Sequence, residues 1–143
     1  MILLTAKLRR VLCANYAVRF AASQNREREP DPAPVLKLFN PYGPATWLAT
    51  ELYPDGDTLF GLADLGMNCP ELGVFSLSEI ASVRIPPFGL RIERDRHFVG
   101  LFPLSVYAEA ARFHGAIVDM PDVLTQVAAS MDKDNPELPP EGG

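Results

Sequence analysis

The block from Val35 to Phe98 is what most constrains the fold of this chain. Four short apolar runs follow one another in it. They are Val-Leu-Lys-Leu-Phe from 35, Ala-Thr-Trp-Leu-Ala-Thr-Glu-Leu-Tyr from 45, Thr-Leu-Phe-Gly-Leu-Ala-Asp-Leu-Gly from 58 and Glu-Leu-Gly-Val-Phe-Ser-Leu-Ser-Glu-Ile from 71. Pro, Gly and Asp punctuate them at short intervals, which is the pattern of a small sheet. Pro54-Asp55-Gly56-Asp57 joins two of the runs. Proline presets the first turn dihedral and glycine accepts a left-handed one, so Ala45–Tyr53 and Thr58–Leu65 read as a hairpin. Strict alternation along its first strand puts Trp47, Ala49, Glu51 and Tyr53 on one face and Thr46, Leu48, Thr50 and Leu52 on the other.

Helical signals flank this block. Thr5 stands as an N-cap, and Leu4, Leu8, Val11, Leu12 and Tyr16 recur near the helical period, giving a helix that ends near Ala21. Residues 23–34 hold three prolines and five charges between Arg26 and Asp31, and read as a solvated linker with nothing to bury. Val35–Phe39 is a first strand. Gly66 to Gly73 reads as a loop, with Val74-Phe75 a fourth short strand. Ser76-Leu77-Ser78-Glu79 matches a capping box, with Phe75 and Ile80 as its staple, so a brief helix runs to about Val83. Leu90–Glu93 reads as a last strand. Pro103 opens a helix to His114 that Gly115 caps. Residues 119–131 carry a weaker helical signal, and 132–143 are expected to be disordered. The expected fold is therefore α+β: over residues 1–118 one domain, a small, mainly antiparallel sheet of four to five strands packed against two to three helices.

Composition removes several function classes. At 143 residues one domain is the natural expectation. No apolar run approaches the roughly 20 residues that span a bilayer. The start, Met-Ile-Leu-Leu-Thr-Ala-Lys-Leu-Arg-Arg, lacks the order of a signal peptide, so a cytoplasmic home with no membrane partner is expected. Cys13 and Cys69 read as two buried small hydrophobes rather than a disulfide.

The net charge of −5 is segregated. Residues 1–28 carry six Lys/Arg against one acid, 29–83 one against eight, 84–97 four against two, and the remainder two against seven. This alternation either binds the chain's own segments together or presents two separate faces. Overall acidity argues against broad nucleic-acid binding, which needs clustered cations. The basic first helix, with Lys7, Arg9, Arg10 and Arg19, is better read as complementing the acidic middle of its own chain than as a surface for membrane or nucleic acid.

The densest functional groups lie in Arg91-Ile92-Glu93-Arg94-Asp95-Arg96-His97. Acids and bases alternating at a strand end suit a phosphate clamp, through Arg91, Arg94 and Arg96, or proton transfer through Glu93, Asp95 and His97. The favoured reading is a solvated corner stitched by ion pairs. Glu51, Asp55, Asp57 and Asp64 are the right ligand type for a divalent ion, but their spacing fits no calcium loop and the two turn aspartates already have a turn role. Glu51, mid-strand beside Trp47, either pairs with a base or lines a groove. Cys13, Cys69, His97 and His114 lack the paired spacing of a structural zinc site, so no metal is assigned. Cys69 has nothing nearby to lower its pKa. Gly61 and Gly66 fit neither nucleotide fingerprint, and no cofactor is expected. Trp47, Tyr42 and Tyr53 suit a stacking platform or anchor pocket, though sheet core is the commoner role.

Taken in order, Leu-Leu-Thr-Ala-Lys-Leu-Arg (3–9), Val-Leu-Lys-Leu-Phe (35–39), Thr-Trp-Leu-Ala-Thr-Glu-Leu (46–52), Phe-Gly-Leu-Ala-Asp-Leu-Gly (60–66), Cys-Pro-Glu-Leu-Gly (69–73), Ser-Leu-Ser-Glu-Ile (76–80), Gly-Leu-Arg-Ile-Glu-Arg-Asp-Arg-His-Phe (89–98) and Pro-Leu-Ser-Val-Tyr-Ala (103–108) resemble the bacterial family called domain of unknown function 2958 (DUF2958). The resemblance spans about residues 2–117. It implies a bacterial protein of the kind carried on plasmids, integrated elements and phages, and it carries over no activity and no catalytic residue. The Tyr16–Glu29 stretch is longer and more basic than the family pattern, and the chain after Val118 lies outside it.

Two functions from different classes follow. The first is a non-enzymatic interaction module for a protein or nucleic-acid component of a mobile element, with Trp47, Glu51, Arg91, Arg94 and Arg96 as binding residues. The second is a metal-assisted hydrolase or nuclease in which Glu51, Glu93 and Asp95 converge on a metal or act as acid and base. A small-ligand site on the Trp47–Tyr53 face is a third. Partner identity and oligomeric state are not encoded in any motif.

Overall fold

Apolar alternation in the central block becomes a five-stranded, wholly antiparallel sheet. The computed structural model describes residues 2–133. Its elements in chain order are α1 (Ala6–Gln24), β1 (Leu36–Phe39), β2 (Thr46–Leu52), β3 (Thr58–Asp64), β4 (Glu71–Ser76), α2 (Leu77–Ser82), β5 (Glu93–Arg94), α3 (Leu104–His114) and α4 (Pro121–Lys133). The strands lie in the order β4-β3-β2-β1-β5, so the β2–β3 hairpin is central and β4 and β5 are the edges. The α+β class read from the sequence is the class observed.

Each sheet face carries its own apolar cluster. On one side Leu36, Leu38, Trp47, Ala49, Leu52 and Leu59 pack with Leu12 of α1, Leu3, Leu4 and Ile80. On the other, Leu48 and Leu62 pack with Leu104, Tyr107 and Ala111 of α3 and Leu124 of α4. Burying one face under α1 and the other under α3 and α4 accounts for near-continuous apolar runs in β2, which is covered on both sides.

Strict alternation fails at one point, and it matters for Glu51. The β2–β3 register shifts between Ala49 and Glu51, pairing Ala49 with Gly61, Glu51 with Phe60 and Leu52 with Leu59. A bulge inserts one residue and exchanges the faces beyond it. Leu52 thereby joins Trp47 and Ala49, while Glu51 goes to the face of Phe60, which packs with the α3 cluster. The expected common face for Trp47 and Glu51 is therefore corrected.

Several boundaries also differ. Helix α1 continues to Gln24, and Val11 is exposed rather than on the buried stripe. Residues 25–35 are not a free linker: Pro34 is buried, Val35 N–H donates to Ala49 C=O, and Leu104 N–H donates to Pro32 C=O. Strand β4 spans six residues where two were expected. Leu90 forms only an isolated bridge to Ile85, and the last strand is Glu93–Arg94. The weak helical signal after 119 is a full helix whose Leu124 is completely buried. Asp132 and Lys133 belong to it, and the rest of the expected tail, 134–143, lies outside the described residues. Both cysteines are exposed and unbonded, not buried as expected. Among the described residues no helix is long and apolar enough to cross a membrane.

Candidate functional site

The residues of the 91–97 corner lie at the β5 edge, and their polar groups are drawn into local structure. Arg94 donates to the Ile2 and Leu3 carbonyls at 2.7 and 3.2 Å, holding the N-terminal segment on the sheet. Asp95 accepts from His97 N–H at 2.9 Å and lies 3.7 Å from the Lys37 ammonium, which also contacts Asp119 at 2.7 Å. Arg91, Arg96 and His97 are exposed. A cleft of about 210 Å³ here is lined by Lys37, Arg94, Asp95 and Arg96, with neither Trp47 nor Glu51 on its wall.

The remaining candidates are dispersed. Trp47 is core, one rung across Leu38 from Arg94. Glu51 lies roughly 10 Å further along β2, two strands from β5, so Glu51, Glu93 and Asp95 do not converge. Asp55 accepts from the N–H groups of Asp57 and Thr58 at 2.9 and 2.8 Å, closing the hairpin turn. Asp57 accepts from Ser76 Oγ and Ser78 N–H at 2.6 and 2.8 Å, pinning the start of α2 to the turn. These bonds hold both carboxyls below their ordinary values, that from Thr58 Oγ1 leading for Asp55 and that from Ser76 Oγ for Asp57. Asp64, buried, accepts from Gly66 and Ile117 N–H. Among the described residues no group of three or more His, Cys, Asp or Glu side chains is placed to hold a metal ion.

Among the described residues Glu51 is the one buried carboxylate with a charged partner. Arg19 Nε lies 3.1 Å from its Oε1, and Arg19 stacks near the Tyr16 and Tyr53 rings at 5.1 and 5.9 Å. Burial pushes Glu51 up, further than the Arg19 hydrogen bond and charge draw it down. Burial alone lowers Arg19, and the Glu51 hydrogen bond and charge, with Tyr53 and Glu29, more than offset it. The pair walls a cleft of about 430 Å³ with Glu29, Asp31, Tyr53 and Phe60.

That cleft opens on a sheet face the helices leave bare. Val74 pairs with Phe60, and Leu72 with Leu62, so all four side chains share the α3 side. Helices α3 and α4 cover Leu62 but not the edge: Leu72 is 51% and Val74 60% exposed. A second cleft, about 370 Å³, lies between Leu72 and α3, with Ala108, Glu109, Arg112 and Met131 on its wall.

The backbone of this edge is open in the same place. Tyr53 N–H donates to Thr58 C=O and Leu77 N–H to Asp57 C=O, at 2.8 and 2.9 Å. Antiparallel ladders alternate bonded and non-bonded pairs, so Glu71, Gly73 and Phe75 bond to β3. Leu72 and Val74 then direct N–H and C=O outward, on the residues whose side chains are also exposed. Edge strands are usually blunted by lysine, proline, a bulge or a covering element. Strand β4 has neither lysine nor proline, and its pairing with β3 runs without a register shift. Sequence reading missed this surface because Gly73 interrupts the strand pattern. The signal that finds it is the Leu72–Val74 alternation against Glu71, Gly73 and Phe75.

A family model described as a protein of unknown function (DUF2958) matches residues 3–118. No curated protein matches the chain, and no solved structure does.

Proposed function

The chain belongs to the DUF2958 family of proteins of unknown function, and from that premise we propose that it is a non-enzymatic interaction module that captures an extended segment of a partner protein on the open edge of β4. The observation that carries this reading is the coincidence, at Leu72 and Val74, of outward backbone groups and exposed apolar side chains. An added strand satisfies the first and covers the second, which is how β-augmentation divides affinity from specificity. A protein partner suits this edge better than nucleic acid, because the strand itself carries Glu71 and no Lys or Arg. Arg91 and Arg96, at the opposite edge, form a second contact surface of opposite sign. A bacterial setting in the machinery of a mobile element belongs to the same proposal and rests on the family resemblance, and a cytoplasmic location is proposed with it.

Site-specific photocross-linking in the native host tests it. A photoreactive side chain at position 72 or 74 should trap one discrete protein, and the same group at position 113 on α3 should not. Equal labelling from all three positions, or none from 72 and 74, would overturn the reading.

A further inference from the structure

We infer that the segment captured on β4 is basic: an extended stretch with lysine or arginine at both ends and a large apolar residue between them. This rests on the reading of β4 as a docking edge. From residue 38 to 83 the chain carries six carboxylates and no Lys, Arg or His. Those residues build β2, β3, β4 and α2, so these elements bring carboxylates and no cation of their own. Glu71 opens β4 and Glu79 stands three residues beyond its end, both exposed. Along the chain β4 is thus bracketed by carboxylates, Glu71 at its first residue and Glu79 in the first turn of α2. Opposite charges across a strand pair stabilise it, and like charges destabilise it.

The same arithmetic disfavours a second copy. Antiparallel pairing of two β4 edges sets two acidic stretches against each other, neither with a Lys, Arg or His between residues 38 and 83. The centre of the segment is set by Gly73. A Cβ built there meets nothing within 4 Å, so the edge has a notch between Glu71 and Phe75. Gly73 bonds inward to β3, so its pair with an added strand is the closer, non-bonded kind. A ring from the neighbouring strand covers such an edge glycine.

The probe is a labelled heptapeptide, acetyl-Lys-Lys-Val-Phe-Val-Lys-Lys-amide, titrated against the whole chain and followed by fluorescence anisotropy. The control replaces its four lysines with glutamates. The basic peptide should bind about tenfold or more tightly than the acidic one at low salt, the gap narrowing as salt rises. Val74→Pro removes an outward N–H without removing a native ladder bond, and should abolish binding. Leu72→Lys, at an exposed position, should do so too and keeps the test open if the proline variant does not fold. Equal binding of both peptides, lost in Val74→Pro or Leu72→Lys, would overturn the inference of a basic segment while leaving β4 as the docking edge. Failure of both peptides to bind, or binding unchanged in both variants, would overturn the docking edge itself. Concentration-dependent dimers in sedimentation that Leu72→Lys dissolves would replace the basic segment with a second copy.

Discussion

Arg19 Nε and Glu51 Oε1 meet at 3.1 Å across the join between α1 and β2. The contact exists because two local irregularities coincide. The bulge after Ala49 turns Glu51 away from the Trp47 face. Helix α1 runs on past Tyr16 far enough for Arg19 to reach it, steadied by the Tyr16 and Tyr53 rings. Asn15, one helical turn earlier, donates to Thr50 C=O at 2.9 Å, on the residue the bulge displaces. The bulged point of the central strand is thus held by one face of one helix.

Arg19→Leu should cost about 2 kcal/mol at neutral pH, read from urea unfolding, because it leaves a buried carboxylate without its cation. Glu51→Gln should behave differently with pH. The Glu51 carboxyl is raised by burial, so its contribution is fully present below about pH 4.3, the unfolded value, and is lost as pH rises through the folded value. The glutamine variant lacks that loss and should gain on the parent as pH rises through the window. A variant that instead weakens relative to the parent over the same range would mean that the ion pair outweighs burial.

Asp55 and Asp57 carry the opposite sign. Hydrogen bonds hold both carboxyls below their ordinary values, so their stabilisation is present above about pH 3.9 and is lost as pH falls through the folded values. Asp57→Ala should lower the urea midpoint at neutral pH, because the start of α2 loses its acceptor, and should flatten the acid side of the stability curve. Helix α2 has six residues, so its amides should lose hydrogen-exchange protection first.

What the sequence makes legible is local chemistry. The Pro54–Asp57 turn, the Thr5 and Ser76 caps and the left-handed Gly115 stop each depend on residues within four positions, and each is observed. What it hides is set at a distance. Period-two counting cannot register a bulge, so Glu51 is assigned the wrong face. Asp31 reads as one more charge in a polar linker because its partner, Ser105, lies 74 residues away. Strand β4 reads as only Val74-Phe75, with its first half taken for loop, because Gly73 lacks the side chain that strand patterns count. Its exposed edge is a property of what α3 and α4 fail to cover, which no window along the chain contains.

The linker can be tested at Asp31. Helix α3 begins after Pro103 with no capping side chain of its own, and the Asp31 carboxylate accepts from Ser105 N–H at 3.2 Å and from Ser105 Oγ. Asp31→Ala should therefore cost about 1 kcal/mol although the residue is exposed and lies outside every helix and strand. Glu27→Ala, in the same polar stretch, is the control. An equal loss from both variants would mean that the stretch acts through its charge, whereas a loss from Asp31 alone identifies the cap.

Gly61 and Gly73 face each other across β3 and β4, and alanine should act oppositely at the two. A Cβ at Gly61 falls 1.8 Å from the Leu48 carbonyl oxygen and 2.8 Å from the Ala49 Cα, beside the register shift. Both atoms are backbone of the central strand, so no side-chain rotation relieves the clash. Gly61→Ala should lose about 3 kcal/mol or more, the scale of an overpacked core site. At Gly73 the same methyl enters open space, and the lower entropy of the unfolded chain should make Gly73→Ala neutral or stabilising by about 0.5 kcal/mol. Urea midpoints of the two variants measured side by side decide the matter. If both lose equally, the hairpin is yielding to any bulk on this rung, and the close approach at Leu48 is not what selects glycine at position 61.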